Sequence, residues 1–526
     1  MEKQYVCNED YPVVETCYGK LRGYLYDGVF RFFGVKYADA QRFQMPNPIK
    51  KWDGIKNAHN FGYNCPGSLL PRPMSDNEMT EPHRYWPESE HCQYLNIWTS
   101  TLNPNAGKAV MVWLHPGAYV DGSGIEMTTF DGDNLVKLDD VICVTLNHRL
   151  NVLGFLDMSD YGPEYENSGN AGLADIVIAL KWVRDNIRQF GGDPDNVTIF
   201  GQSGGGGKVS ALMQVPSAEG LFQKAIIMSG IIPDDDILVR TTVPQQTLVE
   251  EIMKEIAPSA GLKELLTAPE IILERAVDRA HVNLLQKGYA LGWGPRKNNW
   301  YLGSLCLNSC VEYSKKIPVI VGSTFAEFNY FQEYYDKNAL SKKERCRIGG
   351  AVYGNLAEKY INIFHKAYPG FNEAYAPYVD TFFRKYSIDY VLNKAAVSEA
   401  PVFSYVFALE GSMFGGTIAT HCSDIPFAFH NADRVPAWQV PGVSDYLCDV
   451  FSKMMTAFAK TGNPNIPELP EWIPSSSEHI ETMVFGQNTT LMHDHDRQLI
   501  DFILKNKPLY IPDFKHTNDR VNIWKY

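Results

Sequence analysis

Short apolar runs recur along the chain, and segments with helical periodicity lie between them. Residues 108–115 and 140–147 are dominated by apolar side chains over the length of a strand, which predicts central strands buried on both faces. Over 171–188 the apolar residues return at helical spacing, and the pattern stops before a Gly-Gly pair, as a helix does. Strand and helix therefore alternate, which favours a largely parallel sheet with helices around it.

The pattern is also informative towards both ends of the chain. Residues 10–40 alternate apolar with polar residues around several glycines, which predicts a meander of short antiparallel strands. Residues 63–90 are rich in Pro, Ser, Asn and Glu without periodicity, which predicts a long loop. Further strands are predicted within 222–230, 316–328 and 402–408, and helices between 240 and 300.

Composition narrows the class of protein. The chain has 526 residues, 45% hydrophobic and 21% charged, so it can bury a large core. A formal net charge of -13 without a basic cluster argues against a nucleic-acid partner. Residues 1–10 are polar and acidic, and no later stretch reaches the length of a membrane span. We expect a cytoplasmic protein with no membrane partner that acts on a neutral or cationic small molecule.

One stretch carries the strongest chemical signal. In residues 196–210 a β-branched run meets Gly201-Gln-Ser-Gly-Gly205 and then a helical pattern, so Ser203 falls at a tight turn between a strand and a helix. Small neighbours permit the strained backbone of such a turn, and the hydroxyl is then pushed out of the fold. The helix N-terminus favours negative charge developing there. Ser203 is therefore the candidate nucleophile.

This stretch admits two other interpretations. A bare G-x-S-x-G pattern also occurs in glycine-rich surface loops. Gly207-Lys208 resembles the end of a phosphate-binding loop, but Gln202 stands where that motif begins with Gly. Val209 also replaces the Ser or Thr that would hold magnesium, so phosphate binding is disfavoured.

A family resemblance favours the interpretation of Ser203 as a nucleophile. Residues 190–204, Phe-Gly-Gly-Asp-Pro-Asp-Asn-Val-Thr-Ile-Phe-Gly-Gln-Ser-Gly, resemble the signature of the type-B carboxylesterase and cholinesterase-like family, which includes bacterial para-nitrobenzyl esterases. Similar segments extend over nearly the whole chain, at 16–23, 33–38, 90–98 and 457–465. The resemblance implies an α/β-hydrolase fold with a large, mostly parallel central sheet and helices on both faces. It also implies a single catalytic domain over 1–526, with helical excursions at roughly 235–310 and 335–400.

The loop after the strand at 108–115 is the second chemical element. A tetrahedral intermediate needs backbone N–H donors, and a glycine-rich loop can supply them without obstruction by side chains. The resemblance assigns these donors to Gly117, Ala118 and Gly204. Pro116 takes the place of the family's first glycine and has no N–H, but that position is not one of the assigned donors.

A serine nucleophile needs a base and a carboxylate that orients the base. In α/β-hydrolases both follow the serine, each just beyond a strand. The resemblance selects Glu327, after the strand within 316–328, and His421, after the strand at 402–408. His430 is the nearest rival base but falls after the family's Pro-Phe pair. Asp424 is predicted to be a loop or helix-capping residue.

Supporting residues are implied in the same way. Gln202 stands where the family has Glu, which removes a buried negative charge near the base, and Ser229 resembles the serine that supports the acid. Arg149 is expected to pair with an internal carboxylate such as Asp175. Because glycine weakens a helix relative to alanine, Gly204→Ala is expected to be tolerated and mildly stabilising.

The sequence suggests no metal or cofactor. The chain has 10 cysteines, and they are scattered without metal-ligand spacing. Cys65 and Cys92 stand where family members carry a disulfide, and the sequence leaves open whether they are bonded or reduced. The run His493-Asp-His-Asp496 is typical of a solvated turn rather than a metal site.

These residues predict a serine carboxylesterase that acts through a Ser-His-Glu triad and an acyl-enzyme. The expected substrate is a small ester with an apolar acyl or alcohol group, because aromatic residues are predicted to form the pocket wall around Gly292-Trp-Gly-Pro295. Two alternatives stay open. One is a non-catalytic cholinesterase-like interaction protein, and the other uses the same triad for acyl transfer or carbamate hydrolysis.

Overall fold

A large twisted sheet forms the centre of the computed structural model, which describes residues 3–67, 79–233, 242–303, 311–329, 332 and 335–508. The strands in these ranges are β1 Tyr5–Val6, β2 Val13–Glu15, β3 Lys20–Arg22, β4 Tyr24–Tyr26, β5 Val29–Lys36, β6 Ala38–Asp39, β7 Asn47–Pro48, β8 Ile55–Asn57, β9 Tyr94–Thr99, β10 Lys108–Leu114, β11 Ile142–Leu146, β12 Gly192–Gln202, β13 Lys224–Met228, β14 Val319–Thr324, β15 Val402–Phe407, β16 Glu410–Gly411, β17 Thr417–Ile418, β18 Glu481–Phe485 and β19 Thr490–His493. The α-helices are α1 Asp133–Asp139, α2 Asn151–Phe155, α3 Ala171–Asn186, α4 Gly204–Leu212, α5 Gln245–Ile256, α6 Leu262–Thr267, α7 Glu270–Gln286, α8 Lys342–Ala351, α9 Ala357–Ala367, α10 Phe383–Val397, α11 Ile425–Ala428, α12 Ser444–Thr461 and α13 Arg497–Asn506.

The central sheet has 12 strands in the order β1-β4-β5-β9-β11-β10-β12-β13-β14-β15-β18-β19. Every pairing from β11 through β18 is parallel, and the strands at both edges pair antiparallel. Because these strands are parallel, the C-terminal ends of β12, β14 and β15 lie at the same end of the sheet. Open α/β sheets bind their ligands in the loops that follow the C-terminal ends of the strands.

The strands follow the predicted pattern. β10 and β11 are buried at every residue, as their apolar runs require, and β13, β14 and β15 lie within the predicted ranges. At the N-terminus β2 pairs with β3, and β4 with β5, in the predicted antiparallel meander. The described parts of the predicted loop, 63–67 and 79–90, are irregular apart from isolated bridges, and 68–78 lies outside the described residues.

The helices also match their periodic segments. Helix α3 occupies the predicted segment and is followed by a short 3₁₀ turn before Gly191, whose φ is 85°. Helices α5 to α7 fall within 235–310, of which 235–241 and 304–310 lie outside the described residues, and α8 to α10 fall within 335–400. Among the helices that the structure describes, none combines the length and the apolar character needed to cross a membrane.

The core has a layer on each face of the sheet because successive side chains of a strand point to opposite sides. In β10, Val110, Val112 and Leu114 pack into one layer, whereas Met111 and Trp113 pack into the other. Large apolar side chains on both faces explain why this strand has no polar alternation. They also make the end of β10 a rigid support for the loop that follows it.

Two buried ion pairs connect elements that are distant in sequence. Arg149 donates to both carboxylate oxygens of Asp175, at 2.9 and 2.8 Å, which confirms the predicted pairing. Arg384 in α10 makes the equivalent paired contact with Asp496, at 2.5 and 3.0 Å, just before α13. Burial opposes ionisation of Asp496, but the guanidinium outweighs burial and lowers the pKa of this carboxyl to about 2.

We expect Asp496→Asn to lower the free energy of unfolding by about 3 kcal/mol, because it leaves a buried arginine without its counter-charge. The loss applies above the ordinary carboxyl pKa of 3.8 and shrinks as the pH falls toward about 2, where the wild-type carboxylate is itself protonated. Urea unfolding at several pH values measures it. Asp185→Asn, which removes an exposed partner of Arg184, is the control and should cost less than about 1 kcal/mol.

Candidate active site

Ser203 occupies a sharp turn between β12 and α4. Its backbone has φ 55° and ψ −125°, a strained region for a residue with a side chain. The turn is held by Ser203 N–H donating to the Met228 carbonyl at 2.8 Å. Side chains are excluded on both flanks: a Cβ on Gly201 would lie 2.5 Å from the Gly205 carbonyl carbon, and one on Gly205 would lie 1.9 Å from Leu114 O. The serine side chain is left partly exposed.

Glu327 and His421 meet beyond the ends of β14 and β15. Glu327 Oε2 lies 2.5 Å from His421 Nδ1. The other carboxylate oxygen, Oε1, accepts hydrogen bonds from Ser229 Oγ at 2.8 Å and from the Thr324 backbone N–H at 2.7 Å. The His421 backbone N–H also donates to the Glu327 carbonyl at 2.7 Å. Both residues are thus fixed in position and orientation by side-chain and backbone contacts.

The environment of His421 favours its charged form despite burial. Burial lowers the pKa of His421, but the contact with Glu327 outweighs burial, so the pKa is raised above 6.5. Two aromatic rings flank the imidazole: Phe383 stacks on it with centroids 5.3 Å apart, and the Phe328 centroid lies 4.5 Å away. Gln202 Nε2 lies 3.3 Å from both ring nitrogens. An uncharged amide therefore borders the ring where the family has a carboxylate.

Among the described residues, no hydrogen bond joins Ser203 Oγ to His421. Gln202, the residue before the serine, contacts the imidazole directly, so the ring borders the strand that leads into the serine turn. Contacts between a nucleophile and its base are often long in unliganded enzymes and tighten with substrate bound.

Two further carboxyls lie near this pair. Burial, reinforced by the charge of Glu327, raises the pKa of Asp380 to about 7. Burial also raises the pKa of Asp424 to about 7, although a hydrogen bond from Tyr405 Oη, at 2.6 Å, opposes the shift. Asp424 does precede α11, but its side chain accepts the hydrogen bond from Tyr405 Oη instead of capping the helix. His430 lies apart from the site, with Nε2 3.7 Å from Asp449.

The loop after β10 brings Gly117 and Ala118 to the start of α4. Gly117 has φ 92° and Ala118 has φ 55°. The Gly117 carbonyl accepts hydrogen bonds from Val120 and Asp121, at 3.1 and 3.0 Å, which closes a turn. Within the described residues, the backbone N–H groups of Gly117, Ala118 and Gly204 have no acceptor, so they are available to an oxygen of a substrate.

The expectation that Gly204→Ala is tolerated and mildly stabilising is wrong. A Cβ at this position would lie 2.1 Å from Ala118 O and 2.2 Å from Ala118 Cα. These are backbone atoms of the neighbouring loop, which cannot rotate away as a flexible side chain could. The helix-propensity argument considers only residues near in sequence, whereas the deciding contact comes from a loop far away along the chain.

Among the residues that the structure describes, possible metal ligands cluster in two places, and neither includes Ser203, Glu327 or His421. The ligand atoms of Cys346, His365 and Glu373, and likewise those of His479, His493 and Asp494, lie within 4.8 Å of one another. In each cluster the carboxylate already pairs with an arginine and a histidine of the chain. The His-Asp run from 493 to 496 is divided: the side chains of His495 and Asp496 are 2% and 0% exposed, whereas that of His493 is 59% exposed. Asp496 also pairs with Arg384.

Cys65 and Cys92 lie beside each other as free, buried thiols in this structure. Burial and the adjacent Cys65 hold the pKa of Cys92 well above its usual range. The structure therefore places the two residues as the family resemblance implies but without a bond between them.

Sequence reasoning missed three residues that border this site. Phe328 and Phe383 flank the imidazole, and Lys208 lies buried behind the loop that contains Gly117. The position of Phe328 directly after Glu327 could have indicated that it lies at the site. For Lys208 the indication was weaker: a lysine within a glycine-rich, apolar helix is unusual. Nothing in the local sequence of Phe383 indicates its position.

With this geometry established, comparison with known proteins identifies the family. The model of the Carboxylesterase family matches residues 10–502, and the chain belongs to that family. It is 31% identical over 503 residues to the para-nitrobenzyl esterase of Bacillus subtilis (strain 168), a match that covers 93% of this chain and 97% of that protein. The chain is a carboxylic ester hydrolase with the α/β-hydrolase fold, as the resemblance predicts.

Solved structures agree with this assignment. An esterase from Clostridium hathewayi, described as able to hydrolyse aliphatic aromatic polyesters, is 41% identical with a TM-score of 0.91, and the match covers 96% of this chain and 100% of that one. A thermophilic PNB esterase is 29% identical with a TM-score of 0.70, covering 93% and 99% of the two chains.

The close contact at Gly204 predicts that Gly204→Ala lowers both stability and activity. We expect a loss of about 1–3 kcal/mol in the free energy of unfolding, because the new methyl group must displace the Ala118 backbone. Urea unfolding and hydrolysis of para-nitrophenyl butyrate measure the two effects.

Gly207→Ala is the matched control in the same helix, because its nearest neighbour would be the end of the Tyr119 side chain, at 3.2 Å. This variant should retain most of its stability and activity. A Gly204→Ala protein that is as stable as the wild type would contradict the contact.

Proposed function

We propose that this protein is a serine carboxylesterase in which Ser203, His421 and Glu327 form the catalytic triad. The observation that carries the proposal is the buried contact between Glu327 Oε2 and His421 Nδ1, at 2.5 Å. It orients the imidazole so that Nε2 is left to receive a proton from Ser203, whose strained turn lies beside it. The order serine, acid, histidine along the chain is that of α/β-hydrolases.

In the proposed reaction, Ser203 Oγ attacks the ester carbonyl carbon while His421 Nε2 takes the hydroxyl proton. Glu327 stabilises the imidazolium through Nδ1–H, and Ser229 keeps the carboxylate in place. The tetrahedral intermediate expels the alcohol, which receives its proton from His421, and an acyl-enzyme remains. Water then attacks this acyl group with His421 again as base, which releases the acid and restores Ser203. No cofactor is required.

The N–H groups of Gly117, Ala118 and Gly204 are the proposed oxyanion hole. Their lack of acceptors within the described residues supports this role, as does the contact between Gly204 and the Ala118 backbone. One donor of such a hole contributes about 10²- to 10³-fold to kcat. The absence of an N–H at Pro116 leaves this set of three donors intact.

The proposed substrate is an ester with an apolar or aromatic group. Phe328 and Phe383 flank His421, so a substrate at this site meets aromatic surface. The Clostridium hathewayi esterase, 41% identical to this chain, is described as acting on aliphatic aromatic polyesters. We therefore include soluble aromatic diesters and a polyester film among the substrates to be tested.

The triad predicts that Ser203→Ala abolishes hydrolysis of para-nitrophenyl esters from acetate to octanoate. Removal of a serine nucleophile lowers kcat by about 10⁴- to 10⁶-fold, because binding and the oxyanion hole alone give little rate. Ser210→Ala is the matched control in the same helix, since Ser210 Oγ donates to the Gly207 carbonyl within that helix. A folded wild type that hydrolyses none of these esters and is not labelled at Ser203 by an organophosphate would favour the interaction-protein alternative.

The raised pKa of His421 predicts the acid limb of the pH profile. The base works only when it is neutral, so kcat/KM should rise with pH through a midpoint above 6.5. Glu327→Gln removes the charge that raises this pKa while burial still lowers it, so the midpoint should move to lower pH as kcat falls. Initial rates across the pH range measure both changes. An unchanged midpoint would show that the charge of Glu327 does not raise the pKa of His421.

A further inference from the structure

Lys208 is a fully buried lysine in the helix that begins at the nucleophile. Its exposed fraction is 0%, and lysines are almost never this buried without a partner. Lys208 Nζ donates to the carbonyl of His115 at 3.0 Å. That carbonyl belongs to the last residue before Pro116 and the N–H donors of Gly117 and Ala118. The lysine therefore connects the nucleophile helix to the base of the proposed oxyanion loop.

Two neutral histidines lie against this contact. The rings of His115 and His148 stack with centroids 5.0 Å apart. Nδ1 of each faces a backbone carbonyl, at 2.8 and 2.9 Å, so Nδ1 bears the proton of each neutral ring. Burial, together with the positive charge of Lys208, holds the pKa of both histidines well below its usual range. Within the described residues, their Nε2 atoms have no partner.

The other groups that face Lys208 are Glu126, Cys65 and the ring of Tyr119, whose centroid lies 5.9 Å from Nζ. Burial lowers the pKa of Lys208 to about 7, against the opposing effects of Glu126 and Cys65. This lysine therefore changes its charge near neutral pH, whereas the two histidines stay neutral.

We propose that Lys208 is a positioning residue that holds the His115 carbonyl, and through it the Gly117 and Ala118 N–H groups, in register with the nucleophile turn. The inference rests on the proposed function and adds a component to it. Pro116 gives this loop one backbone N–H fewer with which to fix itself, and the lysine supplies a connection from the opposite side. The bond runs to the helix whose first turn contains Gly204, so all three N–H donors share one support.

The strength of the hydrogen bond from Lys208 to the His115 carbonyl depends on the charge of the lysine. A hydrogen bond from an ammonium is about twice as strong as one between neutral groups, so the loop is held best while Lys208 is protonated. Activity should rise with pH as His421 becomes neutral and fall again through and above about pH 7 as Lys208 loses its proton. The lysine thus predicts an alkaline limb in kcat that the triad alone does not produce.

Lys208→Met and Lys208→Arg test this role. Methionine keeps the apolar stem but removes the donor, and we expect kcat to fall about tenfold to 100-fold, up to the effect of one oxyanion donor, with KM within about twofold. The alkaline limb should disappear. Arginine stays charged at all accessible pH values, so this variant should retain more of kcat and also lose the limb. Affinity for a trifluoromethyl ketone, which mimics the tetrahedral intermediate, should fall in parallel with kcat.

Lys224→Met is the matched control. Lys224 is another mostly buried lysine, and its Nζ donates a hydrogen bond to Asn196 Oδ1. Burial lowers the pKa of Lys224 as well. Its removal should leave the alkaline limb in place. Unchanged kcat and pH profile in a folded Lys208→Met would overturn the inference, as would lower stability with the alkaline limb retained.

The wild-type profile gives a test that needs no variant. An active wild type without an alkaline limb in kcat would overturn the dependence of the loop on the charge of Lys208 while leaving the triad standing, and the kcat of Lys208→Met would then decide the positioning role alone. A wild type with no Ser203-dependent hydrolysis would instead overturn the proposed function, and the inference with it.

Discussion

The site depends on a backbone-to-backbone contact between the start of α4 and the end of β10. A Cβ on Gly205 would lie 1.9 Å from Leu114 O, and a Cβ on Gly206 would lie 2.8 Å from Gly230 Cα. Packing therefore requires glycine at 204, 205 and 206, whereas a Cβ on Gly207 would come no closer than 3.2 Å to its neighbours. Helix propensity is lost in this turn, and the contact places the proposed nucleophile and the proposed oxyanion loop side by side.

The central sheet brings Glu327 and His421 to the same place as Ser203. β12, β14 and β15 are parallel, and their registers bring their C-terminal ends to one edge, where Ser203, Glu327 and His421 follow them. Each of these residues has a backbone hydrogen bond that connects it to a neighbouring element or loop. A rigid parallel sheet can thus hold groups that are far apart in sequence to within a few tenths of an ångström.

The sequence predicted the elements better than it predicted the contacts. The strands at 108–115 and 140–147 could be identified because burial on both faces demands an apolar run. Ser203 could be identified from its glycines, but the choice of Glu327 and His421 came from the family resemblance, since a Glu after a strand is ordinarily a surface charge. The Gly204 contact, the burial of Lys208 and the approach of His479 to His493 arise between distant segments, and no local pattern encodes them.

The Arg384–Asp496 pair has a consequence for how the protein is made. Arg384 follows Phe383, whose ring stacks on His421, and the guanidinium is held by Asp496 together with Ser404 and Thr482. The aromatic wall of the imidazole is therefore anchored by residues that come later in the chain than the wall itself. Because synthesis proceeds from the N-terminus, a nascent chain can anchor this wall only after Asp496, 112 residues beyond Arg384, has left the ribosome. The aromatic side of the site is therefore completed only once β18, which contains Thr482, has joined the sheet.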